Sequence, residues 1–211
     1  MEINHKLVKA NSDRGVILLP GISGGVFTSY YNEIEQALNK KGFNFLRFEI
    51  WNDSKEIQGL TLNKIYKRLD EAINFMESSG CKKISLLGKS FGGAIALTCK
   101  NKEIKSVVAW APAFSFEENS NLEDIKNKKI KGFKSPSQFK INKQDIKEDI
   151  PLLIIHGDKD SIIPLNNSKK IKEKLERLHL KVVKNADHNY SNPEEMKVVA
   201  YHTAEFFNKF S

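Results

Sequence analysis

The sequence predicts an α/β protein, a three-layer α/β/α sandwich built on a mostly parallel sheet of six to eight strands. Short, continuous apolar runs such as Val16-Ile17-Leu18-Leu19 suit strands that are buried on both faces of a sheet. Amphipathic helical stretches alternate with these runs, and parallel neighbours need crossovers of that kind. With 211 residues, 40% hydrophobic and 28% charged, the chain has the size and balance of one globular domain spanning 1–211.

Taken in order, 15–21 is the first central strand, closed by Pro20-Gly21. Residues 29–41 carry Tyr30, Ile34, Ala37 and Leu38 at helical spacing and stop at Gly42, a good helix terminator. The stretch 43–50 alternates like a strand. Residues 61–79 repeat Leu62, Ile65, Leu69, Ile73 and Met76 at three- and four-residue intervals before Gly80, which makes a long helix. A buried strand over 84–87, a helix over 91–100 and strands over 106–110 and 152–156 follow. A helix over 167–178, a short strand over 180–184 and a helix over 193–210 close the chain.

One segment breaks this rhythm. Residues 114–149 are crowded with Lys, Asn and acids, and have only weak apolar patterning around Phe133, Phe139, Ile141 and Ile146. They read as a lid-like insertion or as a surface excursion between core strands.

Composition excludes several classes of function. No apolar run approaches the ~20 residues that span a bilayer, and the polar opening from Met1 to Lys6 is unlike a signal peptide, so a cytoplasmic location without stable membrane insertion is expected. Cys81 and Cys99 form no CxxC or Cys/His cluster and are expected as free thiols, with no metal site. The net charge is +8, yet only four of the 34 basic residues are arginine (Arg14, Arg47, Arg68 and Arg177). Arginine supplies the bidentate fork that reads phosphate and guanine, so this surface argues against nucleic-acid recognition.

The chemistry concentrates in Gly88-Lys89-Ser90-Phe91-Gly92-Gly93, which lies between a buried strand and a helix. That context makes GxSxG a nucleophile elbow, a turn so tight that the flanking positions held by Gly88 and Gly92 must be small. Gly88-Lys89-Ser90 also mimics the end of a phosphate-binding GxxxxGK[ST] loop, but the first glycine of that loop would have to be Lys83. The intervening Ile84-Ser85-Leu86-Leu87 is an apolar strand that cannot wrap its amides around phosphate.

A serine hydroxyl needs a base and a group to orient that base. Asp160 follows an apolar strand in His156-Gly157-Asp158-Lys159-Asp160, and His188 follows the last strand in Asn185-Ala186-Asp187-His188-Asn189. Both loops belong at the carboxyl edge of the sheet, in the chain order Ser90, Asp160, His188. Asp158 competes with Asp160 for the orienting role. His156 is expected to fix the end of its strand, His5, His179 and His202 to face solvent from loops, and Asp53 to be a surface loop acid.

On these motifs the chain resembles the α/β-hydrolase superfamily, close to small bacterial carboxylesterases, monoacylglycerol lipases and serine-aminopeptidase-like hydrolases, over about residues 15–211. The resemblance implies Ser90 as nucleophile, His188 as base and Asp160 as its orienting acid. It also implies an oxyanion hole from the backbone amides of Ile22 and Phe91. Members usually open the oxyanion loop with His-Gly where this chain has Pro20-Gly21, and Lys89 is an unusual neighbour of the nucleophile. The short amino end implies a sheet of six or seven strands. The implied activity is hydrolysis of a small-molecule ester of small or medium acyl group through an acyl-enzyme, with no cofactor. Thioester or amide cleavage, or a silent binding scaffold, are the alternatives.

Overall fold

The computed structural model describes residues 4–118, 120, 122, 126, 127 and 139–211. Seven strands form the main sheet: β1 (His5–Val8), β2 (Arg14–Leu19), β3 (Asn44–Phe48), β4 (Lys83–Lys89), β5 (Ile104–Trp110), β8 (Leu152–Gly157) and β9 (Leu178–Val183). Their order is β1-β3-β2-β4-β5-β8-β9. All neighbours are parallel except β1, which runs antiparallel to β3 with His5 opposite Phe48. This edge strand has four residues, none of them fully buried, and no apolar run, which is why periodicity did not reveal it.

Among the described residues, five helices lie between the strands, α1 (Asn32–Lys40), α2 (Ser54–Gly59), α3 (Leu62–Ser78), α4 (Phe91–Leu97) and α5 (Leu165–Lys174), and α6 (Pro193–Phe210) follows the last strand. Residue alternation along each strand divides the core into two layers. Ile17, Leu46, Leu86, Val107 and Ile154 face one side with Ile65, Leu69 and Ile73 of α3 and Ile171 of α5. Val16, Phe45, Leu87, Val108 and Ile155 face the other with Ile34 and Leu38 of α1 and Val199 and Phe207 of α6. The three-layer sandwich expected from the sequence is therefore present, with helices on both faces.

Local signals set the element ends. The Thr61 side chain accepts from the Lys64 amide at the start of α3, and Asn192 accepts from the Glu194 amide at the start of α6, ahead of Pro193. The helix expected over 167–178 spans Leu165–Lys174 instead, and β9 begins at Leu178 rather than 180. Leu175 and Leu178 are both buried, so the chain turns there to return its apolar side chains to the core. α2 was not expected: exposed Asp53 caps it by accepting from the Lys55 and Glu56 amides, both at 2.8 Å. The three outlying histidines lie on regular elements rather than loops. His5 is half-buried on β1 with its ring 4.6 Å from that of Phe75, His179 is exposed on β9, and His202 is half-buried on α6.

The two ends of the 114–149 segment are tied together by β6 (Ser115–Phe116) and β7 (Lys140–Ile141), a short parallel pair. Phe139 is buried with its ring 5.4 Å from Phe91. Phe133 lies outside the described residues. Among the described residues, no helix is long and apolar enough to cross a membrane.

Candidate active site

The order of strands reverses at β2, so the chain leaves β2 for β3 on one side and returns to β4 on the other. The carboxyl ends of strands at such a switch point leave a crevice between their loops. Here the crevice is a cleft of about 580 Å³ lined by Gly21 and Ile22 after β2, Lys89 and Ser90 after β4, Ile162 after β8 and His188 after β9.

Ser90 occupies the single residue between β4 and α4, with φ 52° and ψ −117°. Such a conformation costs a non-glycine residue on the order of 1–3 kcal/mol and persists only where its surroundings enforce it. The enforcing contacts are hydrogen bonds from the Ser90 amide to the Trp110 carbonyl (2.8 Å) and from the Ala113 amide to the Ser90 carbonyl (2.9 Å). A side chain on Gly92 would overlap the Leu19 and Pro20 carbonyls, so glycine lets α4 approach the end of β2. The same requirement recurs at Gly157, where a Cβ would overlap the Ala186 carbonyl and push apart the loops carrying Asp160 and His188.

Three of the residues singled out in the sequence come into one hydrogen-bonded line. The His188 Nδ1–H donates to Asp160 Oδ2 at 2.7 Å, and the Ser90 hydroxyl donates to His188 Nε2 at 3.1 Å. The proton is placed on Nδ1 because the Asp160 carboxylate can only accept. Burial alone would raise the pKa of Asp160, but hydrogen bonds from His156, His188 and the Ile163 amide outweigh it and hold the carboxyl well below its usual range. His188 is lowered from its ordinary value, first by burial and further by the charge of Lys89, against the pull of Asp160. The ring is thus neutral and able to take a proton near neutral pH.

Asp158, the competitor, is exposed and elsewhere: its Oδ1 accepts from the Asn185 amide at 2.6 Å and ties the loops after β8 and β9 together. His156 does more than end its strand. Fully buried, it accepts from the Ser168 hydroxyl at Nδ1 (2.8 Å), and its Nε2–H faces both the Ile163 carbonyl (3.0 Å) and Asp160 Oδ2 (3.2 Å). The i,i+4 spacing of His156 and Asp160 was visible in the sequence, but across a strand end and a turn it has no fixed geometric meaning. Tyr190, buried beside His188, donates to the Ile155 carbonyl at 2.8 Å and was not singled out.

Ile22 lines the cleft with Ser90, and Phe91 follows Ser90 directly in the chain. Phe91 is the first residue of α4, and Ile22 follows Gly21, whose α-carbon lies against Ser90 closely enough that a Cβ there would be 3.6 Å from the serine Cβ. The loop after β2 is held by Trp51, whose indole N–H donates to the Gly21 carbonyl at 3.0 Å, and by a turn from the Gly24 amide to the same carbonyl at 2.9 Å. Among the described residues, no group of three or more His, Cys, Asp or Glu gathers as a metal site.

Several solved structures share this architecture. "Est1E from Butyrivibrio proteoclasticus" superposes with a TM-score of 0.73 at 19% identity, covering 97% of this chain and 92% of that one. A monoacylglycerol lipase from Paleococcus ferrophilus gives 0.74 at 17% identity and covers 99% of both chains. A dienelactone hydrolase from Anabaena variabilis gives 0.71 at 19% identity, covering 99% of this chain and 92% of its own. In sequence, the mouse (Mus musculus) "Serine hydrolase BPHL" is 25% identical over an alignment of 215 positions, covering 84% of this chain and 74% of that protein. The profile of the Dienelactone hydrolase family matches residues 6–210, nearly the whole chain. The chain belongs to the dienelactone hydrolase family and is a hydrolase of the serine-esterase type.

Proposed function

We propose that the protein hydrolyses carboxylic esters of small or medium acyl groups by two-step acyl transfer on Ser90. The observation that carries this reading is the line Ser90–His188–Asp160, with spacings of 3.1 and 2.7 Å at the base of an open cleft. In the first step Ser90 Oγ bonds to the ester carbonyl carbon while its proton passes to His188 Nε2. Asp160 holds the ring by Nδ1 and stabilises the imidazolium that forms. The carbonyl oxygen becomes an alkoxide facing the amides of Ile22 and Phe91, which act as the oxyanion donors. Collapse breaks the bond to the leaving alcohol, which takes the proton from Nε2. Water then attacks the acyl-enzyme, giving its proton to His188 and releasing the acid, and Ser90 recovers its hydrogen.

The cleft, of about 580 Å³, lies within the usual range for small-molecule sites, which suits a small-molecule ester. Ile22 and Ile162 supply apolar surface in its lining. No step calls for a cofactor or a metal ion.

The test is a series of p-nitrophenyl esters from acetate to palmitate. The expected result is turnover highest at the short and medium end, and lost in Ser90→Ala. Activity that survives Ser90→Ala would remove the serine from the mechanism, and a maximum at palmitate would contradict the acyl-size assignment.

A further inference from the structure

Lys89 is the one member of the GKSFGG turn with a buried charge that the acyl-transfer steps leave unused. Its residue is 5% exposed. The side chain leaves β4 immediately before Ser90 and ends against the histidine loop. There Nζ donates to the backbone carbonyl of His188 at 2.7 Å, a contact between residues 99 apart in sequence. The ammonium also lies 5.8 Å from the centre of the Tyr190 ring. Burying an ammonium is costly, and methionine would fill the same space without that cost. The groups that act on it come from two loops: Asp160 after β8, and Asp187, His188 and Tyr190 after β9. Asp187 is occupied by the Ser191 hydroxyl and by the amides of Asn189 and Ser191.

Resting on the triad reading above, we propose that Lys89 is a positioning residue for His188. It pins the histidine loop to the nucleophile turn through the His188 carbonyl, and it sets a positive charge beside the imidazole that keeps the ring in its neutral, proton-accepting form. The two effects share one side chain because Lys89 and Ser90 are consecutive, so whatever places the serine also places the ammonium. Burial, the charge of Lys89 and the neighbouring His156 lower the proton affinity of His188, while Asp160 raises it. Burial likewise pushes Lys89 itself down to about 7, against the opposing pull of Asp160 and Asp187. Removing the charge must therefore let His188 hold its proton to higher pH.

The experiment pairs two measurements on the wild type, Lys89→Met and Lys89→Gln: the pH profile of kcat/KM for p-nitrophenyl acetate, and the NMR titration of the His188 ring. Lys89→Met removes both charge and donor, whereas Lys89→Gln keeps a donor alone. In both variants the acid limb and the ring midpoint are expected to move up by roughly 0.5–1 pH unit. The plateau is expected to fall about tenfold or more in Lys89→Met, as the loop loses its anchor, and to recover in part in Lys89→Gln. An unmoved midpoint overturns the proposal even if the plateau falls, because a merely structural role lowers the plateau without shifting the titration. A wild-type His188 midpoint at or above the ordinary ~6.5 overturns it even if neither variant folds. A wild type that cleaves no ester counts against the triad reading instead, and the ring titration still decides the role of Lys89.

Discussion

The body of the sheet and its carboxyl edge obey opposite rules. Along β2, β4, β5 and β8 the side chains are mostly apolar and buried, and they pack in two layers. At the carboxyl edge, within about seven residues of the strand ends, conformational strain and buried polar groups accumulate. Among the described residues, the four non-glycine residues with positive φ are Ser90, Ala111, Asn185 and Tyr190, and each follows β4, β5 or β9. Lys89 and His188 are buried at that same edge, and the Asp160 carboxylate is fully enclosed. The body contributes the burial energy, and the edge spends part of it on a geometry that an unsupported chain would not hold. Mutations should therefore separate: at the edge they should cost turnover more than stability, and in the body the reverse.

The largest effect on turnover is expected from Asp160→Asn, which keeps the shape but cannot hold His188 in the required tautomer. By analogy with other triads the loss is about 10⁴-fold in kcat. A loss below tenfold in steady-state assays would remove Asp160 from the line.

Gly92→Ala comes next. Its methyl group must displace the carbonyls at the end of β2 or shift α4 and Ser90. Misplacement on the order of 1 Å costs about 10²-fold, to be read as kcat/KM on protein whose circular dichroism matches the wild type. An unchanged rate would show that the elbow has room for the added methyl group.

Lys89→Met sharpens the contrast further, since activity and stability are expected to move in opposite directions. The folded-state pKa of about 7 lies below the unfolded value near 10.5, so folding works against the lysine proton. That cost is fully present below pH 7 and fades as pH rises toward 10.5. The variant should accordingly match or exceed the wild type in Tm at pH 6, and the difference should shrink by pH 10. A lower Tm at pH 6 would mean that the hydrogen bond to His188 outweighs the buried charge.

Leu86→Ala, in the body, should leave the turnover of the folded protein within about twofold while lowering stability by about 2–5 kcal/mol in denaturant titration, through the cavity left behind. A large fall in turnover without loss of stability would erase the distinction between the two regions.

The same division explains what could be read from the sequence. Body strands such as Val16–Leu19 and Ile84–Leu87 announce themselves because burial on both faces demands uninterrupted apolar residues. Ser90, Asp160 and His188 were legible because a tight strand-to-helix turn and loops after strands leave compositional traces. β1 was not, being an edge strand with Lys6 among its four residues. Nor was α2, which depends on the Asp53 cap more than on its own short pattern. Lys89 and His156 were visible only as an odd neighbour and a strand end. Their partners, the His188 carbonyl and Asp160 with Ser168, are brought to them by tertiary packing, and a backbone carbonyl leaves no mark on a sequence.

The central claim is that Ser90 is an activated nucleophile. Its most direct test is to treat the wild type and Ser90→Ala with a fluorophosphonate and locate the adduct by peptide mass spectrometry. A single adduct on the peptide containing Ser90 in the wild type, and none in the variant, is the predicted result. A folded wild type that forms no adduct, or one that is modified elsewhere, would contradict it.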